Sequence, residues 1–295
     1  MINKLKILWQ FSRPHTIIGS TLSILSVYFL CYLQPNGTFD GFVLILSLIS
    51  ALACNVYITG LNQWSDVEVD KINKPWLPIA AGTLSKADGL KIVLISGVIS
   101  ILSTLFFHWI FTVLILLILG IGTAYSLPPL KFKRHHLAAA GAISLVRGLL
   151  VNVGFYLHFR ESMVGVLELD SAIWPLVVFV AAFSLGIAWF KDIPDTAGDA
   201  VHKFGTLAVN TGRKTAFFAG VFVVSAAYLF IVVASLAKLF PNYIFGAAFH
   251  ITVLLVFQYK SLKLDLKNEE EIKHFYMFFW VLFFAEYIVY PGLYL

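Results

Sequence analysis

The chain reads as an all-α protein that crosses a lipid bilayer many times, in one polytopic domain over residues 1–295. Three features lead to that expectation. Charged residues make up 13% of the chain and hydrophobic residues 59%, whereas a soluble domain has about 25% charged residues to solvate its surface. Mean hydropathy is +0.86. The apolar residues come in continuous runs of roughly twenty, without the alternation of a transmembrane β-strand.

Runs long enough to cross about 30 Å of hydrocarbon fall at 15–33, 42–62, 89–107, 109–126, 138–158, 172–190, 215–236, 241–258 and 274–293. They predict nine helices. The stretch "MINKLKILWQFSRPHTIIG" before and into the first run is too short and too quickly apolar for a transit peptide, and it lacks an A-x-A cleavage signal. It is read as mature sequence. Cys31 and Cys54 lie in the first two runs and are expected to pack as small residues, with no disulfide. The second run ends in the polar stretch "GLNQWSDVEVDKINKP". Only the neighbourhood of His108 divides the third run from the fourth. The fifth contains Arg147, a basic residue well inside a span. The sixth ends in "KDIPDTAGD", and the ninth is the Phe-rich "FYMFFWVLFFAEYIVY". That last helix is expected to face lipid for the most part, with lining of a lipid tunnel as the lesser option.

Loop charge sets the orientation. Eighteen of the 21 Lys and Arg residues fall in the N-terminus and the even-numbered loops, which are therefore expected to be cytoplasmic. The net charge of +5 thus reflects membrane orientation, and nucleic acid is not expected as a partner. The acidic segments after spans 2 and 6 lie on the same side and echo one another. Spans 1–4 and 5–8 suggest two four-helix halves, with the ninth helix appended and the two acidic segments facing each other.

Asn62, Asp66 and Asp70 are spaced i, i+4, i+8, which puts them on one face of a continuing helix. Asp195 and Asp199 repeat the i, i+4 spacing, with Asp192 three residues before; Pro194 is expected to bend the helix or start a new one. Unpaired carboxylates at a membrane boundary repel one another and are expensive to desolvate. Lys71 and Lys74 could neutralise them, but a cluster of oxygen donors suits hard divalent cations such as Mg²⁺. One cluster alone could be a solvated helix end; two in equivalent places argue for a shared metal site. Lys74, Lys131, Lys133, Arg134, Lys191 and Lys203 flank the acids and point to a polyanion held through metal bridges. Positive-inside bias accounts for most of the other lysines. A cation transporter would also use acidic clusters, though nearer the bilayer midplane. A non-catalytic scaffold leaves the paired clusters unexplained.

The segments "FSRPHTIIGSTLS", "GLNQWSDVEVDKINKPWLPIAAG", "GTAYSLPPLKFKR", "VRGLLVN" and "FKDIPDTAGD", together with nine helices, resemble the UbiA superfamily of intramembrane prenyltransferases. Within it they resemble the branch that prenylates homogentisate, and the likeness covers nearly the whole chain. Many superfamily members carry Arg where this chain has Lys74, but the homogentisate branch has "NKP" as here.

The resemblance implies a UbiA-type helix bundle, in a cyanobacterial-type or plastid membrane, that uses a prenyl diphosphate and homogentisate. It implies two Mg²⁺ ions, one held by Asn62, Asp66 and Asp70 and the other by Asp192, Asp195 and Asp199. Asp66, Asp70, Asp195 and Asp199 are then the catalytic acids, and Lys74, Lys131 and Lys191 complete a clamp on the diphosphate. Arg13 and His15 become wall residues, and Tyr125 and Trp64 are the aromatics nearest the motifs. Arg147 is assigned the homogentisate carboxylate, with an ion pair to Glu286 as the alternative; Asn152, five residues on, falls off its face. His135 and His136 are expected to be solvated, with His108 and His158 toward the far membrane face. Phytyl is the implied donor group; solanesyl, geranylgeranyl or a chlorophyllide acceptor are the alternatives in the same fold.

Overall fold

Polar residues at the ends of apolar runs decide where the helices begin. The structure, a computed structural model, describes residues 2–295. A short helix α1 (Ile2–Phe11) precedes α2 (Pro14–Tyr32), whose first position is a proline with no N–H to satisfy. The Asp40 carboxylate accepts from the Phe42 and Val43 N–H groups and starts α3 (Gly41–Ser65). After α4 (Val67–Asn73), Ser85 caps α5 (Lys86–Leu102) and His108 caps α6 (Trp109–Ser126). Then come α7 (His136–Ser144), a π-helical turn (Leu145–Leu150) and α8 (Val151–Val164), which run as one rod. The long α9 (Ile173–Val201) and short α10 (Leu207–Thr211) lead to α11 (Arg213–Leu236) and α12 (Tyr243–Lys263). Asn268 caps α13 (Glu269–Val289).

Among the described residues eight helices are long and apolar enough to cross a membrane, with α7 through α8 counted as one. The expected count of nine is not reached on that basis, because the region of the third run forms the 17-residue α5. There the Ser103 and Thr104 hydroxyls donate back to the carbonyls of Ile99 (2.8 Å) and Ile101 (2.7 Å). Such local bonds compete with the helical ladder, and the chain turns.

The first group of helices centres on α3, which packs against α2, α5 and α6. The second centres on α9, which packs against α7, α8 and α11, with α12 beyond α11. Helix α13 packs against both α2 and α9 and so lies between the halves. Its aromatic residues are therefore core: Phe275, Phe279, Trp280, Phe283 and Tyr287 are buried, and only Met277, Val281 and Ile288 among its large apolar residues face outward. The expectation of a mainly lipid-facing ninth helix is corrected, since a helix with a partner on each side has little surface left for lipid. Cys31 and Cys54 are buried and free, as expected.

Two local expectations are also corrected. Pro194 does not interrupt α9, which runs unbroken from Ile173 to Val201; packing against α4, α10 and α11 overrides its helix-breaking tendency. Conversely, the helix bearing Asn62 does not continue through Asp66, which has non-helical φ −115° and ψ 24°. The i→i+4 bonds persist across the break, from Asp66 N to Asn62 O (3.1 Å) and Asp70 N to Asp66 O (2.8 Å). The three side chains thus keep one common side.

Candidate active site

The acidic ends of α3–α4 and α9 meet over a cavity of about 270 Å³ between the two helix groups. Lys74, the C-cap of α4, forms a salt bridge with Asp195 on α9. The Asn73 amide donates to Asp199 Oδ1 (3.3 Å) and accepts from the Gly198 N–H (2.8 Å). A Cβ at position 198 would run into that amide, so glycine is what lets the two segments close on each other. The predicted juxtaposition is present in this geometry: Asp66, Asp70, Asp192, Asp195 and Asp199 all line the one cavity.

Cations fill the gaps between the acids. Lys133 Nζ lies 2.6 Å from Asp66 Oδ2 and donates to Ser65 Oγ at 2.7 Å. Lys191 Nζ is 3.3 Å from Asp192 Oδ1 and donates to the Tyr125 hydroxyl at 3.3 Å. Arg13, in a left-handed backbone conformation (φ 55°), donates to Asn62 Oδ1, and Asn62 in turn donates to Asp66 Oδ2, each at 3.3 Å. Burial raises the Asp70 carboxyl from 3.8 to about 6, with Arg13 and Lys74 pulling the other way. Burial likewise lowers Lys133 to about 8 against the attraction of Asp66.

Asp66 Oδ1 and Asp70 Oδ2 are buried without a hydrogen-bond partner. Orphaned carboxylate oxygens beside a cavity are what a hard divalent cation requires, and Mg²⁺ completes its shell with water and phosphate oxygens. Among the described residues no three His, Cys, Asp or Glu side chains converge as a ready-made cage. The donor set fits a cation shared with a phosphorylated ligand.

Deeper in, the cavity becomes apolar, lined by Ile24, Ile58, Ile115, Ile118 and Phe155. At the junction, the Arg147 guanidinium sits 4.7 Å above the Trp280 ring and 6.0 Å from Phe283, and His15 meets Trp280 edge-on at 4.7 Å. Arg147 does not pair with Glu286, which instead meets His250 Nε2 at 3.1 Å. The π turn also changes the register. Asn152 donates to the carbonyls of both Arg147 and Gly148 at 2.8 Å and accepts from the Tyr287 hydroxyl at 3.1 Å. The residue expected to lie off Arg147's face is therefore the one that anchors its backbone. Single π turns of this kind recur at functional sites.

Of the residues singled out in the sequence, Arg13, His15, Asn62, Lys74, Tyr125, Arg147 and Lys191 also line the cavity. Lys131 does not: a left-handed backbone (φ 39°) turns it into a neighbouring depression, and Lys133 takes the inner place. Trp64 points away, beneath Lys86 at 4.7 Å. Residues that sequence reasoning missed are Asn73, Phe204, Trp280 and the Thr16–Asn55 pair, bonded at 2.9 Å, while Lys133 counts there among the flanking cations but not in the clamp. Tyr276, Trp280 and Phe283 stand at i, i+4, i+7, a spacing that marks one helix face and could have indicated the aromatic wall.

Comparison with known proteins agrees with this architecture. Residues 23–282 match the UbiA prenyltransferase family. The chain is 41% identical over 292 residues to a homogentisate phytyltransferase of Synechocystis sp., covering 96% of this chain and 94% of the relative. It is 37% identical over 296 residues to the chloroplastic homogentisate phytyltransferase 1 of Arabidopsis thaliana, covering 97% and 74%. The chloroplastic homogentisate solanesyltransferase of that plant is 36% identical over 295 residues, with 97% and 76% covered. Among solved structures, a UbiA homolog from Archaeoglobus fulgidus bound to DMAPP and Mg²⁺ superposes with a TM-score of 0.67 at 16% identity, covering 97% of this chain and 99% of that one. At that identity the likeness is one of fold.

Proposed function

Because the chain belongs to the UbiA prenyltransferase family, we propose that its cavity joins the prenyl group of a prenyl diphosphate to the ring of homogentisate. It is an integral, multi-pass membrane protein and an aromatic prenyltransferase. The observation that carries the reading is the closure of two acidic segments over one cavity whose depth is apolar. The cavity thus suits a ligand with a polyanionic head and a hydrocarbon tail.

In this reading Asn62, Asp66 and Asp70 would hold one Mg²⁺, and Asp192, Asp195 and Asp199 a second. Bound there, the metal would tie the carboxylates to the diphosphate and stabilise its negative charge as it leaves. Lys74, Lys133, Lys191 and Arg13 present N–H donors at the same place, and their attraction strengthens as the C–O bond breaks and both bonding electrons go to the leaving oxygen. Tyr125 holds Lys191 toward the acids. The apolar walls keep water from the allylic cation, and aromatic faces near the junction stabilise it. Arg147 offers a bidentate partner for the homogentisate carboxylate, with Asn152 and Tyr287 fixing its backbone. The ring carbon then bonds to the prenyl terminus and loses its proton. Decarboxylation of the side chain takes up one proton, and diphosphate and carbon dioxide are the other products.

The basic loops support a cytoplasmic placement for the acidic end. Phytyl is the donor group we put first, since the relatives at 41% and 37% identity are phytyltransferases; geranylgeranyl and solanesyl transferases at 33% and 36% define the competing donors. The test is to supply membranes containing the protein with Mg²⁺, labelled homogentisate and each of the three diphosphates in turn. A phytylated methylquinol is expected to dominate. Absence of prenylated product from all three would overturn the reaction, and preference for another donor would overturn the phytyl assignment.

A further inference from the structure

A second depression, of about 180 Å³, adjoins the main cavity and shares Asp66, Val69 and Phe204 with it. Lys86, Lys131 and Arg134 face it. Of the acids beside them, Glu68 pairs with Lys71 at 2.9 Å and Asp66 Oδ2 with Lys133 at 2.6 Å, while Asp66 Oδ1 has no hydrogen-bond partner. Among the described residues Lys86 and Arg134 form no ion pair, and Lys131 Nζ stays 3.9 Å from Asp66 Oδ1, beyond hydrogen-bond reach. Each of the three lies instead against an aromatic face. Lys86 is 4.7 Å over Trp64, while Lys131 and Arg134 are 5.5 Å and 5.9 Å over Phe204. A cation resting on a ring keeps N–H groups free for an anion.

Lys86 begins α5, and the loop carrying Lys131 and Arg134 is held against the segment of Phe204 and Gly205. Gly205 N donates to Arg134 O at 2.8 Å, His136 N to Gly205 O at 3.1 Å, and Phe204 N to Asp199 O at 2.8 Å. The last bond ties Phe204, the common wall, directly to one of the acids of the main cavity. Three cations without a hydrogen-bonded carboxylate, Lys131 and Arg134 on a braced loop and Lys86 at the start of α5, lie one ring away from the place where diphosphate is released and form a positive patch that attracts a multivalent anion.

We propose that this depression is a second anion site, which binds inorganic diphosphate after it leaves the catalytic cavity. The identity of the anion rests on the prenyl-diphosphate reaction proposed above; the site itself does not. The full-length protein in detergent, with Mg²⁺ present and no prenyl donor, is titrated with radiolabelled inorganic diphosphate. The wild type is expected to bind two equivalents per chain. A Lys86→Gln/Arg134→Gln double variant is expected to bind one tightly and the second at least tenfold more weakly. Its melting temperature should match that of the wild type, which shows that it is folded. One equivalent in the wild type, or two of unchanged affinity in the double variant, would overturn the proposal. Two sites in a protein that makes no prenylated product would instead refute the reaction and leave the site standing.

Discussion

The two ends of α3 bury polar side chains to opposite purposes. At the Asp66 end, carboxylate oxygens of Asp66 and Asp70 are buried without hydrogen-bond partners and border a cavity. Roughly 27 Å away along the helix, at 1.5 Å per residue, Ser47 Oγ meets His158 Nε2 at 2.9 Å. There Ser162 Oγ meets His158 Nδ1 at 3.3 Å, and the imidazole stacks on Phe111 at 3.8 Å. Both ring nitrogens have partners, and His158 does not line the cavity. A closed polar cluster holds helices together, whereas an open one at a cavity is free to act on a ligand.

Substitutions can break or sharpen this contrast. The largest effect is expected at the open end: Asp70→Asn or Asp199→Asn should lower turnover about a thousandfold, some 4 kcal/mol of transition-state stabilisation. Protein abundance and thermal stability should hold, because each change removes a like charge from the cluster. Steady-state assays beside a melting curve separate the two outcomes. Arg147→Gln comes next. Its loss of a charged hydrogen bond, about 1.5–3 kcal/mol, should raise the KM for homogentisate ten- to a hundredfold and spare the KM for the donor. Equal change in both would show that Arg147 shapes the cavity without contacting the aromatic acid.

At the closed end, His158→Ala should lower stability by about 1–3 kcal/mol and leave kcat/KM intact; loss of activity without loss of stability would erase the contrast. The smallest effect concerns pH in protein stripped of divalent cations. Burial raises the Asp70 pKa in the folded state from 3.8 to about 6. Its contribution to stability is therefore fully present below 3.8 and is lost as pH rises through about 6. The Tm of the wild type, referred to that of Asp70→Asn, should fall by a few degrees across that window and then level off. A flat difference would mean that Asp70 is better solvated than its burial indicates.

Much of the open end was legible in the sequence because its signals are local. The spacing of Asn62, Asp66 and Asp70 survives even though the helix breaks at Asp66, since the i→i+4 bonds continue across the break. The pairing of Asn73 with Asp199 and Gly198 joins residues more than a hundred positions apart, and no spacing rule reaches that far. Which lysine faces inward after "AYSLPP" depends on one left-handed residue, Lys131, and on the turn Phe132–Arg134; a shift of two positions exchanges Lys131 for Lys133. Arg147 stood out as a charge within an apolar run, but the π turn that places Asn152 beneath it leaves no mark in periodicity. The burial of α13 was missed for a related reason: a helix that is apolar all round packs equally well in lipid or in protein.

The claim on which the account depends is that the acids of α3–α4 and α9 act as one unit. Turnover of homogentisate should be compared in Asp66→Asn, Asp195→Asn and the double variant. If the acids share one task, the double variant is no slower than the slower single, as is found for groups that work together. Losses that multiply, or either single variant turning over at the wild-type rate, would contradict it.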